Sequence, residues 1–386
     1  MTIWTKSFIA LFITNMFFNM GMLMSGALLA VYADSIGASP SAIGMLVGGY
    51  AVSSILLRPV AAPIIDSYNR KRLVILSCLV LAASFLGFGA SGSIRALLFF
   101  RLLQGCGLVF GNACCLVIVS DMLPREKYSS GIGSFSLAQA TSQAVGPYVG
   151  LWLLDMSGYK MTFVISAVIM LLAALLASRV SVGAVEARKF RLAASNVISK
   201  EALLPASMVM IMNVGASATQ FLVVFASGYG LRSRIGLYFL ISAGVMFATR
   251  PLIGRLTDRF GAVYVCVPAF IVSVVSYYII SVSVTMTGFV IAAVIAAFGQ
   301  GACLPAMQAL SMKAVPRERR GVASSTNYIG FDLGYLIGPT LAGYAAQSYG
   351  YVTMWHVMGA PFLIGVFMLV CFRKRIGAIE RTFAAG

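Results

Sequence analysis

Apolar and polar positions change over along this chain on a scale of twenty-odd residues, well beyond the turn-by-turn alternation of a surface helix. Apolar runs cover roughly 7–33, 41–65, 72–92, 95–123, 129–154, 160–180, 204–228, 235–256, 262–283, 287–312, 321–346 and 352–372. A helix needs about 20 apolar residues to cross the hydrocarbon core of a bilayer, so the pattern predicts twelve transmembrane helices. The first run is too long, and too soon followed by the second, to be a cleaved signal peptide. Most connections are short and carry turn residues such as Gly37, Ser39 and Pro40. The long one, 181–203, follows segment six and holds Glu186, Arg188, Lys189, Arg191, Lys200 and Glu201. The expected organisation is a six-helix bundle over 1–180, a linker over 181–203 and a second six-helix bundle over 204–386.

The pattern is written twice. Arg58–Val74 reads RPVAAPIIDSYNRKRLV and Arg250–Val265 reads RPLIGRLTDRFGAVYV. Arg58 and Arg250 lie 192 positions apart, and so do Asp66 and Asp258. Gly44 and Gly236 keep the same offset, as do Pro124-Arg125-Glu126 and Pro316-Arg317-Glu318, Gly146-Pro147 and Gly338-Pro339, and Gly158-Tyr159 and Gly350-Tyr351. So many matches at one ungapped offset, close to half of 386 residues, mark an internal repeat of two pseudo-symmetric halves.

Composition fixes the solvent. Hydrophobic residues make up 60% of the chain and charged residues 10%, with a mean hydropathy of +0.93. A soluble domain carries about 25% charged residues, so lipid is the medium this chain is built for. The formal net charge of +17 raises nucleic acid as a partner, and its placement removes that reading. Twelve spans put both termini on one side, where 21 Lys and Arg fall; the other side has four, Arg95, Lys160, Arg232 and Arg234. The positive-inside rule then places both termini in the cytoplasm of a cytoplasmic-membrane protein, with the basic linker along the anionic inner leaflet. The seven cysteines lie in or beside apolar runs, without metal-ligand spacing, and read as small apolar residues. No cofactor is expected, and the chain reads as a monomer.

Two six-helix halves with cytoplasmic termini resemble the major facilitator superfamily, and in particular its bacterial drug and metabolite efflux permeases. That family's loop between helices two and three reads Gly-x-Leu-Ala-Asp-Arg-x-Gly-Arg-Arg/Lys. Asp66, Arg70 and Lys71 match it, while Ala62, Ser67 and Asn69 depart from it. The second copy keeps Gly254, Asp258, Arg259 and Gly261 and lacks the basic pair. Arg101, Gln104, Gly105 and Gly107 in segment four resemble the family's Arg-x-x-Gln-Gly-x-Gly motif. Gly146, Pro147 and Gly150 in segment five resemble the Gly-Pro-x-x-Gly helix-packing motif of antiporters, with Ser142 where an upstream glycine is usual. The resemblance implies an all-α fold of two six-helix bundles. It also implies a gate in which the first-half Asp docks near the start of helix eleven. Asp66, Arg70, Lys71, Asp258 and Arg259 are the gating residues on that reading, against a plain capped loop. Arg58 and Arg250 either snorkel towards the cytoplasmic interface or take part in coupling.

Two ionisable residues lie deeper. Arg101 is several residues into segment four, and Asp332 is midway along segment eleven. An intramembrane charge is costly and is a functional candidate by default; the plain alternative for each is helix-packing glue. A buried carboxylate can exchange a proton as its surroundings change between wet and dry. Asp332 shares a helical face with Tyr328 and Tyr335. Neutral polar residues form stripes: Asn15 and Asn19; Gln104 and Asn112 with Arg101; Gln139 and Gln143; Asn213 and Gln220 with Ser217. Amides facing lipid would lack partners, so these face protein or a water-filled cavity. Met16, Met20 and Met24 offer an adaptable apolar wall, and the lone His356 reads as packing or interfacial.

The expected function is secondary active transport of a small solute by alternating access, as proton-coupled export. Proton-coupled or facilitated uptake on the same fold is the rival. A membrane enzyme should show a nucleophile–base pair or a metal cluster, and a transporter-like sensor an additional soluble domain; neither pattern is present. No nucleotide-binding loop appears.

Overall fold

The computed structural model describes residues 4–123, 128–181, 198–316 and 320–385. Thirteen α-helices carry these segments. The first expected span is α1 (Lys6–Ser35). The second is made of α2 (Pro40–Gly48) and α3 (Tyr50–Ser67), interrupted at Gly49. Then come α4 (Arg70–Ala90) and α5 (Ile94–Met122).

The fifth and sixth expected spans form one run of 51 residues, α6 (Tyr128–Ser178), turned at Gly158 with φ 75° and ψ 175°. The eleventh and twelfth repeat this in α12 (Arg320–Cys371), turned at Gly350 with φ 81° and ψ 164°. Only glycine adopts that backbone without strain, and the two turns lie at the repeat offset found in the sequence.

The seventh span is α7 (Leu203–Ala216), a 3-10 stretch over Ser217–Phe221, and α8 (Leu222–Ser227). The eighth is α9 (Gly236–Phe260), bent by 50° between Thr249 and Leu252. Pro251 lies in that bend, where its ring removes a backbone donor. Next come α10 (Ala262–Val282) and α11 (Met286–Lys313). A short terminal helix, α13 (Arg373–Ala385), was not expected from the apolar pattern.

Among the described residues nine helices are long and apolar enough to cross a membrane, and ten with the bent α9. Dividing α6 and α12 at their glycine turns gives the twelve expected spans. The protein is an all-α membrane protein. Of the linker, residues 182–197 lie outside the described residues.

By contacts the chain forms two compact units, Met1–Gly37 with Val52–Leu192, and Ala38–Ala51 with Ala193–Gly386. Within the first, α6 packs closely on α1, where Gly146 and Gly150 approach Met20, Leu23 and Met24. Ser142, one turn earlier, donates to the Met16 carbonyl at 2.9 Å. The methionine wall of α1 is therefore a packing face for α6. Within the second, α12 packs on α7 through Gly330, Gly334 and Gly338. A Cβ at Gly334 would lie 2.6 Å from the Met210 carbonyl oxygen. The outer face of α12 receives α2, where a Cβ at Gly44 would stand 2.1 Å from the Pro339 carbonyl oxygen. Such close approach is how membrane helices associate without a hydrophobic driving force.

Candidate functional site

The first unit holds a polar network between α1 and α5. Arg101 is 4% exposed and donates to Gln104 Oε1 at 2.6 Å. Gln104 is fully buried and donates to Ser25 Oγ at 3.3 Å and Met22 Sδ at 3.4 Å. Two turns along α5, Asn112 accepts from Asn19 Nδ2 at 3.3 Å. Asn19 also donates to the Asn15 carbonyl at 2.8 Å and to Asn15 Oδ1 at 3.0 Å. Five of the expected residues therefore fall in two hydrogen-bonded groups between α1 and α5, Arg101 with Gln104 and Asn15 with Asn19 and Asn112. Gln139 is exposed and Gln143 half-buried on α6, and neither joins the hydrogen bonds that link α1 and α5.

An Arg at a helix centre costs about 2.5–3.5 kcal/mol on insertion scales. An interhelical hydrogen bond in a membrane protein returns about 0.6 kcal/mol. Arg101 is the eighth of the 29 residues of α5, nearer its start than its centre, and bears less than that full cost.

The second unit centres on α12. Asp332 is 3% exposed, on the side of the helix opposite the Gly330–Gly334–Gly338 stripe that meets α7. The shared face with Tyr328 and Tyr335 divides into different surroundings. Tyr335 lies in an aromatic row, 5.0 Å from Phe331 and 6.0 Å from Tyr50 between ring centres. Tyr328 is 42% exposed and lines a cleft of about 220 Å³ with Gln308, Ala309, Met312, Ser324 and Asn327. Asn327 is buried and donates to Ser311 Oγ at 2.7 Å. On α11, Gln300 Nε2 is buried without a hydrogen-bond partner among the described residues. Asn213 turns back on α7, donating to the Val209 carbonyl at 2.9 Å. Gln220 is half-buried and falls in the 3-10 stretch, so Asn213, Ser217 and Gln220 do not form one continuous α-helical stripe. The hydroxyl of Ser217 caps its own helix through the Val214 carbonyl, at 2.7 Å.

At the motif loops, Asp66 lies in the last turn of α3 and its side chain is outside the described residues. Arg70 forms an ion pair with Asp121 at the end of α5 and donates from Nε to the Ile65 carbonyl at 3.2 Å. Lys71 is half-buried beside it. In the second copy Asp258 and Arg259 are exposed, with Arg259 over the Phe260 ring at 5.2 Å. Arg58 Nη2 reaches Ser54 Oγ at 3.5 Å, and the Arg250 side chain is outside the described residues. His356 is exposed on α12, 2.9 Å from Ser281 Oγ and stacked on Tyr278. Among the described residues no cluster of His, Cys, Asp or Glu could hold a metal ion.

Sequence reading passed over Asp121, Ser25 and the Gln308–Ser324–Asn327 cleft. Asp121 carried a signal, being one of only eleven acidic residues and lying at the predicted end of a span beside a basic loop. The cleft carried a partial signal, since Ser324, Asn327 and Tyr328 share one face of α12 by spacing, while Gln308 comes from α11.

The Major Facilitator Superfamily model matches residues 10–324 and 203–382. The chain belongs to the major facilitator superfamily of membrane transporters. It is 23% identical over 379 residues to the multi-drug resistance efflux pump PmrA of Streptococcus pneumoniae, covering 91% of this chain and 92% of that one. It is 26% identical over 402 residues to the multidrug resistance protein MdtG of Enterobacter lignolyticus, covering 97% and 93%. Its fold matches the nucleoside transporter NupG with a TM-score of 0.79 at 12% identity, covering 97% of this chain and 100% of the other.

Proposed function

We propose that this transporter exports a small solute across the cytoplasmic membrane in exchange for protons, with Asp332 as the proton carrier. The observation that carries this reading is the burial of Asp332, 3% exposed, midway along a membrane helix. Transport that consumes a proton gradient needs a group protonated in one facing state and released in the other. Arg101 cannot serve, because guanidinium does not deprotonate in proteins. Tyrosines titrate near pH 10, and His356 is at the surface. Asp34, at the end of α1, and the gate carboxylate Asp66 are the reserve candidates. Export is favoured over uptake by the relatives named as multidrug efflux pumps and by the Gly-Pro-x-x-Gly motif.

In this mechanism Gln104, the Asn15–Asn19–Asn112 group and the Gln308–Ser324–Asn327–Tyr328 cleft offer uncharged donors and acceptors to a polar solute. Arg101 binds an anionic group of it or tunes a carboxylate. Asp66, Lys71, Asp258 and Arg259 gate the cytoplasmic side. Arg70 gates with them, and its ion pair with Asp121 ties the loop to the end of α5. The halves 1–180 and 204–386 move about the linker 181–203, which is cytoplasmic together with both termini.

The test is solute and proton flux in the same proteoliposomes, under pH gradients of either sign, for wild type and Asp332→Asn. The variant keeps shape and hydrogen bonding and cannot cycle a proton. Gradient-driven movement is lost and downhill exchange remains. Normal proton stoichiometry in the variant would make Asp332 structural, and accumulation with the gradient reversed would turn export into uptake. In a cysteine-free background, single cysteines at positions 195 and 233 read the orientation. External reagent labels the second only, and labelling of the first would invert the topology.

A further inference from the structure

The two copies of the repeat end their motif loops differently. In the first, Asn69 precedes α4 and its Oδ1 accepts from the Arg72 amide at 3.2 Å, a standard helix N-cap. The position 192 residues on is Gly261, which has no side chain to cap α10. Its place is taken from far along the chain. Glu380, on α13, accepts from the Ala262 amide at 2.8 Å, and its other oxygen lies 2.8 Å from where a Cβ on Gly261 would stand. A φ of 87° at Gly261 disfavours any residue with a side chain there, and the carboxylate occupies the space a Cβ would take, so the missing cap and the borrowed one form a single arrangement. A carboxylate at this helix end also meets the favourable pole of the helix dipole.

The rest of α13 fits that role. It packs on α10, α11 and α12, with Ile376 fully buried on the same face as Glu380. The opposite face carries Lys374, Arg375 and Arg381, all exposed, with the exposed Arg373 at its flank. Ala378 and Thr382 are its other members, so this face has no large apolar group to bury among acyl chains. Close to the capped turn, Phe260 and Tyr264 are exposed, and Arg259 lies over the Phe260 ring. Aromatic and basic side chains at one level are what a span presents to the headgroup layer.

We propose that α13 is a lipid-held strap. Its basic face binds the anionic phospholipid surface, and Glu380 passes that hold to the turn after Asp258 and Arg259 by capping α10. Anionic lipid thereby steadies the second-half motif loop, which the first half steadies with its own Asn69. Charge complementarity selects the partner, since an anionic leaflet attracts each nearby Lys or Arg. The inference rests on the chain's place in a membrane and not on the direction or coupling of transport.

The test is hydrogen–deuterium exchange of the full-length protein in vesicles of phosphatidylcholine alone and of phosphatidylcholine with phosphatidylglycerol. Wild type exchanges more slowly with phosphatidylglycerol, on the order of tenfold, both in 373–385 and in the turn around Ala262. A K374Q/R375Q/R381Q variant loses the response in both segments. Glu380→Ala keeps the response in 373–385 and loses it around Ala262, while Glu380→Gln, which still offers an acceptor oxygen, restores it in part. Equal exchange of wild type in both lipids overturns the proposal. So does a response that survives the triple substitution, or one evoked only by a soluble polyanion such as heparin. A turn that follows the lipid in Glu380→Ala removes Glu380 as the link. No transport is measured, so the failure of this proposal and the failure of the export reading are separate results.

Discussion

Laid over each other at the 192-residue offset, the two halves agree in one class of residue and differ in another. Gly107 meets the Ser77 carbonyl of α4, and its counterpart Gly299 meets the Ala269 carbonyl of α10, again 192 residues on. Gly146 on α6 approaches α1 as Gly338 on α12 approaches α7. The polar groups within the spans do the opposite. Arg101 corresponds to Ala293, Gln104 to Ala296, Asn112 to Leu304 and Asp332 to Ala140. The shared positions set how near the helices come. The unshared ones differ in kind, amides with a cation in the first half and a carboxylate in the second. The repeat keeps its helix contacts, and the halves diverge at the polar positions to which the proposed mechanism assigns solute and proton.

The largest expected effect is at an unshared position. Arg101→Gln keeps a polar group next to Gln104 and removes the buried charge. Flux falls to background, while the denaturation midpoint in detergent is unchanged or higher, because a buried charge contributes little to stability. A variant that transports normally, or that unfolds, moves Arg101 into the scaffold class and breaks the comparison.

Glycines at helix contacts behave the other way, both the shared pair Gly338 and Gly146 and Gly334, whose counterpart is Ser142. Gly334→Ala and Gly338→Ala press a Cβ against backbone carbonyls 2.6 Å away and cost about 1–3 kcal/mol in stability. Gly146→Ala falls at the low end, since its nearest neighbour would be Leu23 Cβ at 3.0 Å. Gly244→Ala, with nothing within 4 Å, is the control and stays neutral. Chemical denaturation of the four proteins ranks them, and a neutral Gly334→Ala would contradict the close approach.

The smallest effect sharpens the boundary between the classes. Asn112→Leu installs the residue of the other half and deletes one interhelical hydrogen bond, worth about 0.6 kcal/mol. Stability hardly changes, but solute affinity drops in a flux titration. Unchanged affinity would make the Asn19–Asn112 contact packing only.

The sequence was most informative where the bilayer leaves few choices. Backbone groups in lipid must be satisfied within a helix, so the apolar runs outlined the spans to within a few residues, and the repeat located the glycine turns. Helical spacing also grouped Asn15 with Asn19 and Arg101 with Gln104, which are hydrogen-bonded pairs, whereas Asn112, placed on the same face as Arg101, bonds Asn19. It did less well once a partner helix had to be named. Tyr328 and Tyr335 share a face by spacing, yet one lines a cleft and the other stacks on Phe331. The Asn213–Gln220 stripe assumed an unbroken α-helix, and a 3-10 stretch intervenes. The terminal helix was missed because its apolar face is only a few residues wide, too narrow for a search tuned to twenty-residue runs.

The turns at Gly158 and Gly350 bear on how the chain enters the membrane at all. Each joins two spans with hardly any loop, so the second span of each pair has no polar segment of its own to carry across. The two spans are suited to leave the translocation machinery together, as a hairpin whose tip is one residue. The space around Gly158 and Gly350 is open to 4 Å; what excludes other residues is the backbone angle, at about 1–3 kcal/mol of strain. An alanine at either tip would then act less on the finished protein than on its making. The expected phenotype is a lower yield of inserted chain during synthesis, with normal flux per molecule among those that reach the bilayer.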